Sequence, residues 1–268
     1  MRGPTLMPSR FFDGPAGRLH VDDGGPEGSA LPVLLVHGLG GNGGQWAAQL
    51  RHLRRTRRAA ALDLRGHGQS ELRPGAPLSI LALADDVVAT ADALGLERFA
   101  LVGFSIGGSI AGSVAGRIPG RVASLFLVDP ASAFSLRPAS DKAAIAALVA
   151  PPYASLRAAV LEALEGAKPA VRARVAADLE AMPVEVLAAV LGSLPFYDAT
   201  APLERYLRHG PVLIALASAQ RDDRWRLSAQ LPAIEEHVVD GTSHWLMMDA
   251  PDKLQPLLEE FFGRVERS

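Results

Sequence analysis

Short apolar runs recur along this chain at the intervals a strand–helix alternation would set. Residues 32–36 are apolar throughout, as are most positions of 58–64, 99–103, 123–130 and 210–217, and a more mixed EEHVVDG at 235–241 closes the set. Runs that are hydrophobic on both faces and end at a glycine or turn fit buried strands of a parallel sheet. Residues 18–21 alternate weakly and predict an edge strand. Helical spacing marks the segments between: 46–53, 80–94 (Leu81, Ala84, Asp85, Val88 and Ala91), 106–117, and 254–262, whose stripe is Leu254, Leu257, Leu258 and Phe261. The alternation predicts an α/β fold, a mostly parallel central sheet flanked by helices on both faces.

One interval breaks the rhythm. Residues 131–209 hold no convincing strand, are rich in Ala, Leu and Arg, and are punctuated by Pro138, Pro151, Pro152, Pro169, Pro183, Pro195 and Pro202. Segments 141–149, 156–164, 170–182 and 184–191 read as short helices between these breaks. A block this long is more than a connection. It predicts a helical cap, 131–209, inserted between two strands of a core formed by 1–130 and 210–268. Its place is over the carboxyl ends of the strands, where open α/β sheets bind ligands.

Composition narrows the classes. With 49% hydrophobic and 21% charged residues among 268, the chain reads as a folded globular protein. Its formal charge is -2, so its 24 arginines and three lysines make no broad cationic surface for nucleic acid. Five arginines fall within 51–58 and read as a solvated helix face. Cysteine is absent, which excludes disulfides, a thiol nucleophile and cysteine metal sites. The seven histidines are scattered, and no metal or organic cofactor is implied. No run nears the roughly 20 apolar residues of a membrane span. The first fifteen residues lack the apolar core of a secretory signal, so a cytoplasmic protein with no membrane or nucleic-acid partner is expected. No exposed apolar stripe marks a subunit interface.

The chemistry is written at strand ends. Ser105 stands between Gly103 and Gly107 as G-x-S-x-G, directly after the FALV strand and before a helix of small residues. That context predicts a sharp turn presenting the serine as a nucleophile at a helix N-terminus. The loop HGLGGNGG at 37–44 lacks the Lys-Ser/Thr pair of a phosphate loop. It fits an oxyanion loop, with the backbone N–H groups of Leu39 and Ile106 converging on a developing negative oxygen. His37 reads as structural. His244, in a Gly/Ser/Thr-rich loop between the last strand and last helix, is the candidate general base. A carboxylate should orient it. Asp222 is preferred, with its neighbour Asp223 and Asp129, at the end of the fourth run, as alternatives. Trp46, Phe134, Tyr153, Tyr197 and Trp245 are candidates for the substrate pocket, as are Met182 and Phe196, with core packing the alternative role for each.

Together these pieces resemble the α/β-hydrolase fold family, over essentially the whole chain from about Phe11 to Phe262. His37-Gly38-Leu39-Gly40-Gly41 resembles its oxyanion loop, and Asp63-Leu64-Arg65-Gly66-His67-Gly68-Gln69-Ser70 its bracing turn after the next strand. Gly103-Phe104-Ser105-Ile106-Gly107-Gly108 resembles the nucleophile elbow, and Gly241-Thr242-Ser243-His244 the turn that presents the histidine. The family's usual glycine and acid after the fifth run align with Ala217 and Gln220, so the loop is longer here or the acid comes from Asp129. A serine at the elbow argues against the relatives that open epoxides or displace halide through aspartate. The resemblance implies a serine hydrolase cleaving a small, mostly apolar carboxylic ester or lactone through an acyl-enzyme. Carbon–carbon hydrolysis, lyase or perhydrolase chemistry by the same residues is the alternative, and a non-catalytic binding protein a third.

Overall fold

The computed structural model describes residues 9–218 and 223–267. Eight strands form one sheet in the order β1-β2-β4-β3-β5-β6-β7-β8. β1 (Ser9–Gly14) and β2 (Gly17–Gly24) make an antiparallel hairpin, where the sequence predicted only a short edge strand. β2 also runs antiparallel to β4 (Ala59–Leu62). All other pairings are parallel: β3 (Val33–Val36), β5 (Phe99–Phe104), β6 (Val122–Val128), β7 (Val212–Ala217) and β8 (Glu235–Val239). The inner strands are buried at every position because helices cover both faces, which is why they carry unbroken apolar runs.

Those helices are α1 (Ala47–Leu53), α2 (Ile80–Ala93), α3 (Ile106–Arg117) and, at the end of the chain, α10 (Leu246–Asp249) and α11 (Pro251–Arg267). On α2 the buried face is Ile80, Leu83, Ala84, Val87 and Ala91, and Leu81 is exposed, so the stripe is rotated from the predicted one. Between β6 and β7 the chain makes α4 (Ala139–Leu148), α5 (Leu156–Glu162), α6 (Pro169–Glu180), α7 (Val184–Ser193) and α8 (Thr200–Tyr206), without a strand. The last of these packs on α3, and the Tyr206 hydroxyl donates to Val122 O at 3.0 Å. A further short turn, α9 (Leu227–Gln230), precedes β8. Among the described residues no single helix is long and apolar enough to cross a membrane.

Two glycines let α3 sit against the sheet where Ser105 emerges. A Cβ on Gly103 would lie 2.3 Å from Gly107 O, and one on Gly107 2.4 Å from His37 O. Any side chain there would push helix and strand apart.

Candidate active site

Ser105 occupies the junction of β5 and α3 with φ 53° and ψ -122°, a conformation that L-residues other than glycine rarely adopt. The strain is locked in by its own backbone: Ser105 N–H donates to Val128 O at 3.0 Å, and Ser105 O accepts from Gly108 and Ala131. The hydroxyl is thereby thrust off the end of the sheet. His244, in the loop after β8, brings Nε2 to 2.9 Å from Ser105 Oγ. Its Nδ1 lies 2.5 Å from Asp129 Oδ2. A carboxylate can only accept, so Nδ1 carries the proton and Nε2 turns its lone pair to the serine hydroxyl. Asp129 Oδ1 accepts the Ala217 N–H at 2.8 Å, and the side chain is fully buried. The rings of Phe104 and Trp245 pack around the imidazole, with centroids 4.8 and 5.1 Å away.

The loop after β3 lies beside this row. As the first residue of α3, Ile106 has no intrahelical carbonyl for its N–H, and Leu39 sits across from it in the same cavity wall. His37 is buried beneath. Its Nδ1 donates to Gly38 O at 2.8 Å and its Nε2 accepts from Leu64 N–H at 3.1 Å. Burial lowers its pKa, so it braces the loop as a neutral ring. Asp63 ties the loop down from the other side, accepting from Gly43 N–H at 2.6 Å and from Gln69 N–H at 2.9 Å. Ser105 and His244 open into a cavity of about 330 Å³. Phe104, Ala131 and Trp245 wall it from the sheet side, Leu148, Ala159, Val160, Leu191 and Leu194 from the helical block. Among the described residues no three His, Asp or Glu side chains converge as a metal site requires.

The family model described as the alpha/beta hydrolase fold matches residues 32–153, the stretch that holds both the oxyanion-type loop and the elbow. A solved hydrolase from Pseudomonas aeruginosa PA01 superposes with a TM-score of 0.77 at 26% identity, covering 98% of this chain and 100% of that one. The chain has the α/β-hydrolase fold. A thermophilic esterase from Thermogutta terrifontis superposes on this hydrolase fold with a TM-score of 0.79 at 23% identity, over 97% of this chain and 99% of the other. In sequence, RutD of Caulobacter sp. (strain K31), named as a carbamate hydrolase, is 41% identical over 92 residues, 34% of each chain. The chain thus spans about a third of the length of that curated relative.

The α/β-hydrolase frame brings together Ser105, His244, Leu39 and Ile106, and it sets Asp129, one of the two alternatives for the acid, on His244 Nδ1. Asp222, preferred on sequence, lies outside the described residues. Asp223 is turned elsewhere: Ser132 Oγ and Arg137 Nη2 donate to its Oδ2, and Trp225 N–H to its Oδ1. The Nδ1 of His244 has one proton, and Asp129 receives it. Of the pocket candidates, Phe134 and Trp245 line the cavity. Trp46 does not: it is fully buried in the core under α1. Tyr153 packs against the core, and Tyr197 points its hydroxyl to Ser109 O at 3.4 Å, with burial pushing its pKa up to about 12. Met182 borders a separate, smaller cavity and Phe196 is exposed. Trp46, Tyr153 and Tyr197 stay out of the wall because small aliphatic side chains of α5, such as Ala159 and Val160, help make it instead, and nothing in their spacing separates a lining alanine from a packed one. Ser132 is missed by the sequence reading, being an ordinary loop residue until Asp223 gathers it with Arg137, an arginine the sequence offered only as able to reach an anionic substrate group.

Proposed function

We propose that this chain is a serine hydrolase acting on small carboxylic esters or lactones through an acyl-enzyme. The observation that carries the reading is the unbroken hydrogen-bonded row Ser105–His244–Asp129 opening into an apolar cavity. Ser105 Oγ attacks the substrate carbonyl as its proton passes to His244 Nε2. Asp129 steadies the imidazolium that results, and the N–H groups of Leu39 and Ile106 receive the oxyanion of the tetrahedral intermediate. His244 then returns the proton to the departing alcohol, and water releases the acyl group by the same steps in reverse roles. A cavity of about 330 Å³ is at the low end of the roughly 300–1,000 Å³ typical of small-molecule sites, which favours a compact acyl group. The esterase named among the structural neighbours and the carbamate hydrolysis in RutD's name are both attacks on a carbonyl, the chemistry this row supports.

The test is hydrolysis of p-nitrophenyl esters from acetate to decanoate, with Ser105→Ala and a fluorophosphonate label beside the unaltered protein. Saturable turnover and labelling, both lost in S105A with kcat falling by about ten-thousandfold or more, are expected. Labelling without ester turnover would move the reading to carbon–carbon hydrolysis by the same serine. Folded protein showing neither signal would overturn it.

A further inference from the structure

The cavity beside Ser105 is apolar except at one corner. Besides Ser105, His244 and the indole of Trp245, the only polar side chains among the described residues that line it are Ser132 and Arg137. The Ser132 hydroxyl is committed, donating to Asp223 and accepting from Arg137 Nη2. Arg137 is not. A guanidinium has five N–H donors; here Nη2 serves Asp223 and Ser132, and Nη1 reaches Asp141 at 3.3 Å. Among the described residues Nε is buried with no partner, and Nη1 donates to Asp141 alone. The group lies over Phe134, with Cζ 4.9 Å from the ring centroid. Its wall starts at Ala131, whose N–H donates to Ser105 O at 3.1 Å, so the corner is indexed to the nucleophile.

The charge of this corner decides what it can take. Among the described residues one guanidinium faces two carboxylates, Asp223 and Asp141, which leaves this cluster with a net negative charge. Such a site repels an anion while still offering hydrogen-bond donors to an uncharged oxygen. We propose that Arg137 is a selectivity subsite for substrates bearing a neutral oxygen acceptor, a ketone, amide or ether oxygen, in the acyl part remote from the scissile carbonyl. Carboxylate-bearing acyl groups are disfavoured. A plain alkyl chain leaves the spare donors buried and unpaired, and that penalty makes such sites discriminating. The inference deepens the serine-hydrolase reading and rests on it.

The test compares p-nitrophenyl hexanoate, oxohexanoate isomers that move the ketone along the chain, and the adipate half-ester. At least one oxohexanoate is expected to exceed hexanoate in kcat/KM by about tenfold. That ratio should fall to about one in Arg137→Met and be intermediate in Arg137→Gln, which keeps the two N–H donors of its amide. Because both substrates are read on the same protein, a loss of folded material cancels. Asp223→Asn, which removes one negative charge, is expected to raise the adipate half-ester relative to hexanoate. The proposal is overturned if no oxohexanoate is preferred, or if the preference survives R137M. Calorimetry on Ser105→Ala with the methyl esters of the same acids separates this from the chemistry. Tighter binding of an oxohexanoate, lost in the S105A/R137M double variant, supports the subsite even where no ester is turned over; equal binding overturns it.

Discussion

The carboxylate of Asp129 is gripped from two sides, by the Ala217 N–H on Oδ1 and by His244 Nδ1 on Oδ2, with no exposure to solvent. An asparagine there can turn its NH₂ toward Nδ1, which forces the proton onto Nε2 and removes the lone pair that accepts from Ser105. Asp129→Asn is therefore expected to lower kcat for ester hydrolysis by about 10³–10⁴-fold with KM little changed, measured at steady state. Asp222→Asn is the comparison: if it carries the loss and D129N does not, the acid has been misassigned. The difficulty of reading this residue from sequence is conformational. Ser105 and His244 announce themselves by glycines at fixed spacing, whereas Asp129 meets His244 from a backbone at φ 40°, with its carboxylate on the Ala217 N–H of β7 and on His244 Nδ1. Aspartate tolerates that region better than most residues, yet nothing in VDPAS states that it is used here. Asp222 had order and neighbourhood in its favour, and those were the only signals the sequence offered.

At the scale of elements, α10 and α6 are joined through one buried side chain. Asp249, the last residue of α10, accepts on Oδ2 from the Ser243 N–H at 3.0 Å and from the Ser243 hydroxyl, and on Oδ1 from the Lys168 N–H at 3.0 Å, just before α6. The loop that presents His244 is thus anchored to the helical block. The same helix reaches the opposite wall, since Asp178 accepts from Asn42 at 3.0 Å and from Gln45 at 2.9 Å in the loop after β3. Asp249→Ala strands three donors. We expect it to cost about 3 kcal/mol in chemical denaturation and to lower kcat at least tenfold, because a displacement of about 1 Å at the base is costly. Asp249→Asn, keeping one acceptor oxygen, should recover part of both. An unchanged kcat in a destabilised D249A would confine Asp249 to holding the fold. The helices of the 131–209 block were legible from proline spacing, but not what they touch. α8 packs on α3 because Gly112 and Gly116 leave room for Leu203 and Pro202, a fit of surfaces that periodicity does not encode.

Across the whole molecule, the order of buried apolar runs made the sheet legible, because strands covered on both faces must be apolar throughout. The polar ties beneath the site were legible only in part, His37 as a structural ring and 63–70 as a bracing turn, and they set how the fold responds to acid. His67 lies against His37, ring centroids 4.9 Å apart. Its Nδ1 donates to Arg65 O at 3.0 Å, while Nε2 is buried without a partner among the described residues. Burial first, and then the neighbouring His37, push the His67 pKa down to about 3, and burial lowers that of His37 as well. In the unfolded chain both rings titrate near 6.5. Between about pH 6.5 and about pH 3 the unfolded state therefore binds a proton at His67 that the folded state refuses, so stability falls as pH falls. His67→Gln keeps a donor for Arg65 O and does not titrate. Its stability should fall less steeply on acidification, by about 1 kcal/mol per pH unit between about pH 6 and about pH 4, read from urea midpoints of the two proteins. The carboxylates contribute equally to both curves, so the difference isolates the imidazole. Parallel curves would mean that His67 already accepts its proton in the folded protein. In that case the loop bearing Leu39 would rest on a charged ring, and acid would reach that loop before it reached the core.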